Sequence, residues 1–233
     1  MKKIIYLFIV FSLAFTDNLK AQKEIVNGLF QTFLNYYNAG DLIKSENTLL
    51  LILDSKVSFP DEYKVAIYNN LGATYILLGR YKDALDSYGK AETLTLKNQL
   101  ISHSIADIYI NKAIIYGLQK SYSSAFEYFE KGIRTYIKID SNDKKVFSSL
   151  SSAYLNIGLN YLELRNFKLA LDYFRKSEDL KLKYRFSGLA LTYLDIAKVF
   201  VKTGNQRKAE EYFLKLKIIR TPYNILIKAL NLN

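Results

Sequence analysis

His103 is the single histidine of a 233-residue chain that has no cysteine. Those two counts limit most of what the side chains can do chemically. A zinc site draws typically on four Cys, His or carboxylate ligands, and a nucleophile needs a positioned base beside it. One His in "ISHSIAD" supplies neither arrangement and reads as a repeat-junction or surface residue. Without thiols, disulfides, thiolate metal sites and a cysteine nucleophile are excluded. Glu210 and Glu211 are adjacent acids among lysines and arginines, which is the composition of a solvated helix face rather than of an acid/base pair. No glycine-rich phosphate loop occurs. The chain therefore reads as a non-enzyme, with no metal site and no cofactor.

Charge points to a partner instead. The formal net charge is +11. Residues 22–145 carry 15 basic and 14 acidic side chains, whereas residues 146–233 carry 15 and 7. Only the second half can attract an acidic partner by net charge. The basic cluster "KLKYR" at 181–185 falls late in an expected helix, where cations suit the helix C-terminus, and reads as solvated or as a patch for an acidic envelope partner.

The first residues have the layout of a secretory signal: Lys2 and Lys3, an apolar run from Ile4 to Phe15, then a polar stretch ending "NLKAQ". Cleavage is expected after Ala21, so residues 1–21 are read as a signal peptide. The apolar run is shorter than the roughly 20 residues that span a bilayer, and no later run approaches that length. The expected mature chain is exported to the periplasm or cell envelope, with no transmembrane segment. Export removes nucleic acid from the expected partners.

The elements that position these residues announce themselves as a repeat. Tyr68, Gly72, Tyr75, Ala84, Tyr88 and Ala91 set a pattern of small and aromatic positions. Tyr109, Ala113, Tyr116, Ala125, Phe129 and Gly132 reproduce every offset, as do Tyr154, Gly158, Tyr161, Ala170, Phe174 and Ser177. Tyr193, Ala197, Phe200, Ala209 and Phe213 follow, with Leu216 in place of the last small residue. A looser copy precedes them: Leu29, Phe33, Tyr36, Ser45, Leu49 and Ile52. Two Pro and 10 Gly leave long helices permitted nearly everywhere, and a half-hydrophobic composition is ample for a core.

The pattern resembles the tetratricopeptide repeat, most closely in "LGATY" and "GRYKDALDSYGKA". The resemblance implies an all-α, right-handed superhelical solenoid of about five helix-turn-helix repeats over 22–233. The repeats are expected at 26–58, 65–98, 106–139, 151–184 and 190–220, with a short capping helix at 222–232. It also implies that the small residues mark close helix crossings. The small positions recur at spacings of 39, 41, 45 and 39 residues. The extra length is assigned to longer helices and polar turns after each second helix, with "DSNDKK" at 140–145 as an exposed tip. Pro60 and Pro222 suit helix first turns, and Thr221 suits a cap.

The resemblance places one more series on a concave surface, two residues before each small position: Gln31, Asn70, Asn111, Asn156 and Asp195. Carboxamides offer both donor and acceptor and can hold the backbone of a bound peptide. Flanking positions include Ile110, Leu155 and Leu194 on one side, and Ile114, Leu159 and Lys198 on the other. The groove is thus expected from Asn70, Ile110, Asn111, Ile114, Leu155, Asn156, Leu159, Asp195 and Lys198. It is largely apolar and suits an apolar helix or segment of another protein or peptide, unless the chain's own termini or a second copy cover it. The expected function is a protein-binding adaptor of the cell envelope. The alternative is the extracytoplasmic sensor part of a signalling protein, which requires an apolar segment of about 20 residues beyond Asn233.

Overall fold

A computed structural model describes residues 24–55, 60–97, 103–139 and 143–220. The expected signal peptide, Thr221, Pro222 and the expected capping helix lie outside these residues. Among the described residues there are ten helices and no strand. They form two compact units, the first ending at Ser104 and the second beginning at Ile105, in the first turn of a helix.

In the first unit α1 (24–38) is followed by α2 (Leu42–Asp54), α3 (Asp61–Leu77) and α4 (Tyr81–Lys97). Pro60 stands immediately before α3, where its missing N–H costs nothing. In the second unit the order is α5 (His103–Leu118), α6 (Tyr122–Lys138), α7 (Lys144–Glu163), α8 (Phe167–Tyr184), α9 (Leu189–Lys202) and α10 (Gln206–Arg220). Consecutive helices pair into hairpins, five in all among the described residues.

Each hairpin turns by the same device. Gly40, Gly79, Lys120, Arg165 and Gly204 hold positive φ, all seven residues after the small position of their copy. The next residue donates its N–H five residues back: Arg80 to Tyr75 at 2.8 Å, Ser121 to Tyr116 at 2.8 Å, Asn166 to Tyr161 at 2.8 Å and Asn205 to Phe200 at 2.9 Å. This left-handed closure satisfies carbonyls that the ending helix would leave unpaired. Asn166 and Asn205 then cap the second helix of their hairpins, each side-chain oxygen accepting from a backbone N–H at 3.2 Å.

The small positions are seats for rings. A Cβ placed on Gly72 would stand 2.5 Å from the Tyr88 ring, and one on Gly158 would stand 2.5 Å from the Phe174 ring. Both rings are fully buried. What approaches each glycine is therefore an aromatic of the paired helix, sixteen residues on, more than a bare backbone. The first copy inverts the sizes, with Phe33 on its first helix and Leu49 on its second, both buried. In the second unit aromatics link one hairpin to the next and continue inside it: Phe126 of α6 stacks on Tyr161 of α7 at 4.5 Å, and Tyr161 stacks on Tyr173 of its own hairpin at 5.7 Å.

Two readings of the sequence are corrected here. Part of the extra repeat length lies in the opening turns of a first helix rather than in a turn: α7 begins at Lys144, capped by the Asp143 side chain accepting from the Lys145 N–H at 2.9 Å. Residues 144–145 of the expected tip are thus exposed helix, while 140–142 lie outside the described residues. Lys181, read as part of a solvated cluster, is buried. It shares a face of α8 with Ser177, and its Nζ donates to Thr192 Oγ1 of α9 at 2.9 Å. Burial pushes its pKa below the usual lysine value. Lys183 and Arg185 remain exposed.

Candidate functional site

The expected groove residues reach the structure in three conditions. Some are core. Ile110 is 5% exposed and packs against Gly132, where a Cβ would stand 2.6 Å from the Ile110 Cδ1. A glycine on α6 admits the isoleucine, so this position builds the hairpin and is not open to a ligand. Asp195 is also buried, and Lys198 on the exposed side of α9 donates to it at 2.8 Å.

Others spend their polar groups on their own helix. In the first unit Asn70 donates from Nδ2 to the Ala66 carbonyl at 2.8 Å. In the second, Asn156 donates to the Ser152 carbonyl at 2.9 Å. Asn111 is half-buried on α5. The carboxamide series exists as a register along the first helices, yet at Asn70 and Asn156 the amide nitrogen is already engaged.

Three expected residues do converge. Ile114 of α5, with Asn156 and Leu159 of α7, lines a cavity of about 270 Å³ in the second unit. Leu155, one turn away, is half-buried against the core formed by Phe174, Ile196 and Phe200. The cavity also takes Gly117 and Leu118 from α5, Lys120 from the turn, Tyr122 and Phe129 from α6, and Asn160 and Glu163 from α7. Leu118 is 52% exposed, so the cavity opens on an apolar rim. Lys120 and Glu163, both exposed, place opposite charges on that rim.

Asn160 is the site residue that motif reading misses. It stands two residues after Gly158, outside the carboxamide series. The signal lies in comparing copies: the same place holds Asn35, exposed in the first copy, and Thr74, Ile115 and Val199, all buried. Asn160 is the exception in being a buried asparagine, where the other buried copies hold a hydrocarbon or a small hydroxyl.

Elsewhere the second unit buries charge in ways that serve packing. Tyr136 of α6 donates to the Asp107 carboxylate of α5, to which Ser149 of α7 donates at 3.2 Å. Burial, followed by the Asp107 charge, raises the Tyr136 pKa far above its ordinary value. Glu178 of α8 accepts from the Tyr212 hydroxyl of α10 at 3.2 Å, and burial raises its pKa despite nearby Lys215. Glu210 and Glu211 are exposed and paired along α10, Glu211 with Lys215 at 3.2 Å. His103, at the start of α5, is half-buried. Among the described residues no cluster of His, Cys, Asp or Glu is arranged to hold a metal, and no helix is long and apolar enough to cross a membrane.

Family models described as the tetratricopeptide repeat match residues 63–138 and 151–184. No curated protein matches the chain in sequence. Solved structures share its fold. BtubC (BKLC) from P. vanneervenii superposes with a TM-score of 0.70 at 21% identity, covering 89% of this chain and 84% of that one. A Rap protein complexed with Competence and Sporulation Factor gives 0.72 at 12% identity, covering 80% of this chain and 51% of its own. A kinesin light chain of Podospora anserina with nearly identical TPR-like repeats gives 0.62 at 13% identity, covering 84% and 94%.

Proposed function

Because this chain is a tetratricopeptide repeat protein, we propose that it is a non-enzymatic scaffold of the cell envelope that holds a segment of another protein against its first helices. The observation that carries this reading is the cavity of the second unit, where Ile114, Asn156 and Leu159 converge beside the exposed Leu118. An exposed apolar opening of this kind supports the reading of an interaction site. The fold it shares with a Rap protein complexed with Competence and Sporulation Factor supports a peptide or protein ligand. Placement outside the cytoplasm rests on the Lys2–Lys3 start, the apolar run to Phe15 and the polar stretch to Ala21.

Affinity purification of the tagged full chain, with mass spectrometry of what it retains, tests the scaffold. The Leu118→Glu variant is expected to lose the retained partner while keeping its melting temperature, because that side chain is already largely in water. Leu155 and Leu159 are less suitable targets, since both also pack on the core. A partner retained equally by Leu118→Glu removes this cavity from the interface. N-terminal sequencing of protein from the envelope fraction is expected to begin near Gln22, and an intact Met1 on cytoplasmic protein contradicts the location.

A further inference from the structure

The basic cluster at 181–185 has no part in the cavity. Lys181 turns inward to Thr192, which leaves Lys183 and Arg185 exposed at the end of α8. The hairpin brings a second pair of cations beside them. Phe147 of α7 stacks on Tyr184 of α8 with ring centres 4.5 Å apart, and Tyr184 stacks on Phe186 of the following turn at 5.5 Å. Lys144 and Lys145, both exposed, open α7 within one turn of Phe147. Two cations from the start of one helix and two from the end of the next thus flank a stack of three rings.

These cations are spare. On other helices Lys90, Lys131, Arg134 and Lys215 each pair with an acid one turn earlier. Lys144, Lys145, Lys183 and Arg185 enter no ion pair among the described residues. The acids on the same stretches are Asp143, which caps α7, and Asp179, so positive charge is in excess. Hydrocarbon lies among the charges. Leu182 is 51% exposed beside Lys183, and the three rings are half-buried. Charge alone would suit any polyanion. An exposed leucine and amphipathic rings among lysines select a surface that carries hydrocarbon directly beneath its anions, where lysine stems lie along the apolar layer and the ammonium groups reach phosphate.

We propose that this end of the second unit docks on an anionic lipid surface: the four cations take the phosphate-bearing headgroups, while Leu182 and the ring stack enter the boundary between headgroups and acyl chains. The contact is peripheral and reversible, each cation contributing about fivefold in affinity. It adds a membrane surface to the scaffold reading and uses none of the cavity residues.

The absence of cysteine from the chain makes the test local. Ser187→Cys, at an exposed position beside Phe186, carries an environment-sensitive fluorophore; Gln206→Cys carries it past the far end of α9. The full chain is titrated with vesicles of phosphatidylglycerol in phosphatidylcholine, and with phosphatidylcholine alone. The label at 187 is expected to shift to the blue with the anionic vesicles only, and the label at 206 to stay as in water. Because each label reads contact at one place, attachment of the chain through the apolar run at 4–15 does not imitate this result. Lys183→Gln is expected to weaken the contact about fivefold, and Lys183→Gln with Arg185→Gln about 25-fold. Lys168→Gln with Lys202→Gln removes the same charge from the other end of α8 and α9 and should stay within about twofold of the parent. Leu182→Ala should weaken the contact about tenfold with no change in charge. All of these side chains are exposed, so melting temperatures should hold.

An equal shift with neutral vesicles, an equal shift at 187 and 206, or a Lys183→Gln, Arg185→Gln variant within about twofold of the parent each overturn the proposal. A contact that Leu182→Ala leaves unchanged and that soluble poly-glutamate displaces at equal charge assigns the patch to an acidic protein and overturns it equally. The scaffold is scored apart, on partner retention by the tagged chain. Leu118→Glu should lose the partner and keep the vesicle contact, and Lys183→Gln with Arg185→Gln should do the reverse.

Discussion

At Gly158 a methyl group would collide with the Phe174 ring at 2.5 Å and crowd the Ala170 carbonyl at 3.2 Å. Both neighbours are held inside the hairpin, so neither yields cheaply. Gly158→Ala is expected to destabilise by about 1–3 kcal/mol through overpacking, and Gly158→Leu by more. Asn156→Ala, two residues earlier, should stay within about 0.5 kcal/mol, since that side chain only bonds back to its own helix. Thermal melts of the variants decide between them, and equal losses contradict the ring-seat geometry. Arg165 offers the opposite sign. It holds φ 57°, a left-handed conformation that disfavours any residue with a Cβ, at a place where three other hairpins carry glycine. Arg165→Gly is expected to raise the melting temperature by about 2–4 °C, corresponding to roughly 1 kcal/mol for a chain of this size.

Helices α8 and α10 meet around a buried carboxylate whose cost depends on pH. Burial raises the Glu178 pKa above 4.5, while Lys215, the Tyr212 hydroxyl and Arg175 oppose the shift and Asp179 adds to it. A raised carboxylate pKa means that the folded state binds the proton more readily than the unfolded chain. The stabilisation from this group is therefore complete below the ordinary carboxylate value and is lost as pH rises through the raised one. Glu178→Gln should melt higher than the parent at neutral pH, and the difference should shrink as pH is lowered toward the ordinary carboxylate range. Paired melts across that range check it; a difference that grows on acidification contradicts the burial effect. At this scale the sequence is legible where the signal is local and repeated. The hairpins, the small and aromatic pairs and the exposed acids of α10 all follow from offsets along one chain. Three features depend on what lies opposite. Lys181 reads as a surface cation until α9 supplies Thr192. Ile110 reads as groove until Gly132 of α6 admits it to the core. Asn160 gains meaning only beside Gly117, more than forty residues away in sequence. The helical start at Lys144 is hidden because a polar run serves equally as a turn or as a capped first turn.

On the scale of the whole chain, the excess of basic side chains in 146–233 should act on encounter more than on final affinity. Raising salt is expected to slow partner association while leaving dissociation nearly unchanged, and surface plasmon resonance separates the two rates. A salt effect confined to dissociation contradicts long-range steering. Chain length also has rules written into the fold. The ring seat and its ring are sixteen residues apart in the hairpins of Gly72 and Gly158, whereas corresponding seats are 39, 41, 45 and 39 residues apart. One residue added inside α8 ahead of Phe174 moves that ring by about 100° around the helix. Phe174 would then point away from Gly158, and the buried face of α8 would turn toward water. Insertions and deletions are therefore excluded from the helical stretch between a seat and its ring, and the places where this chain tolerates foreign sequence are set by the reach of one aromatic ring.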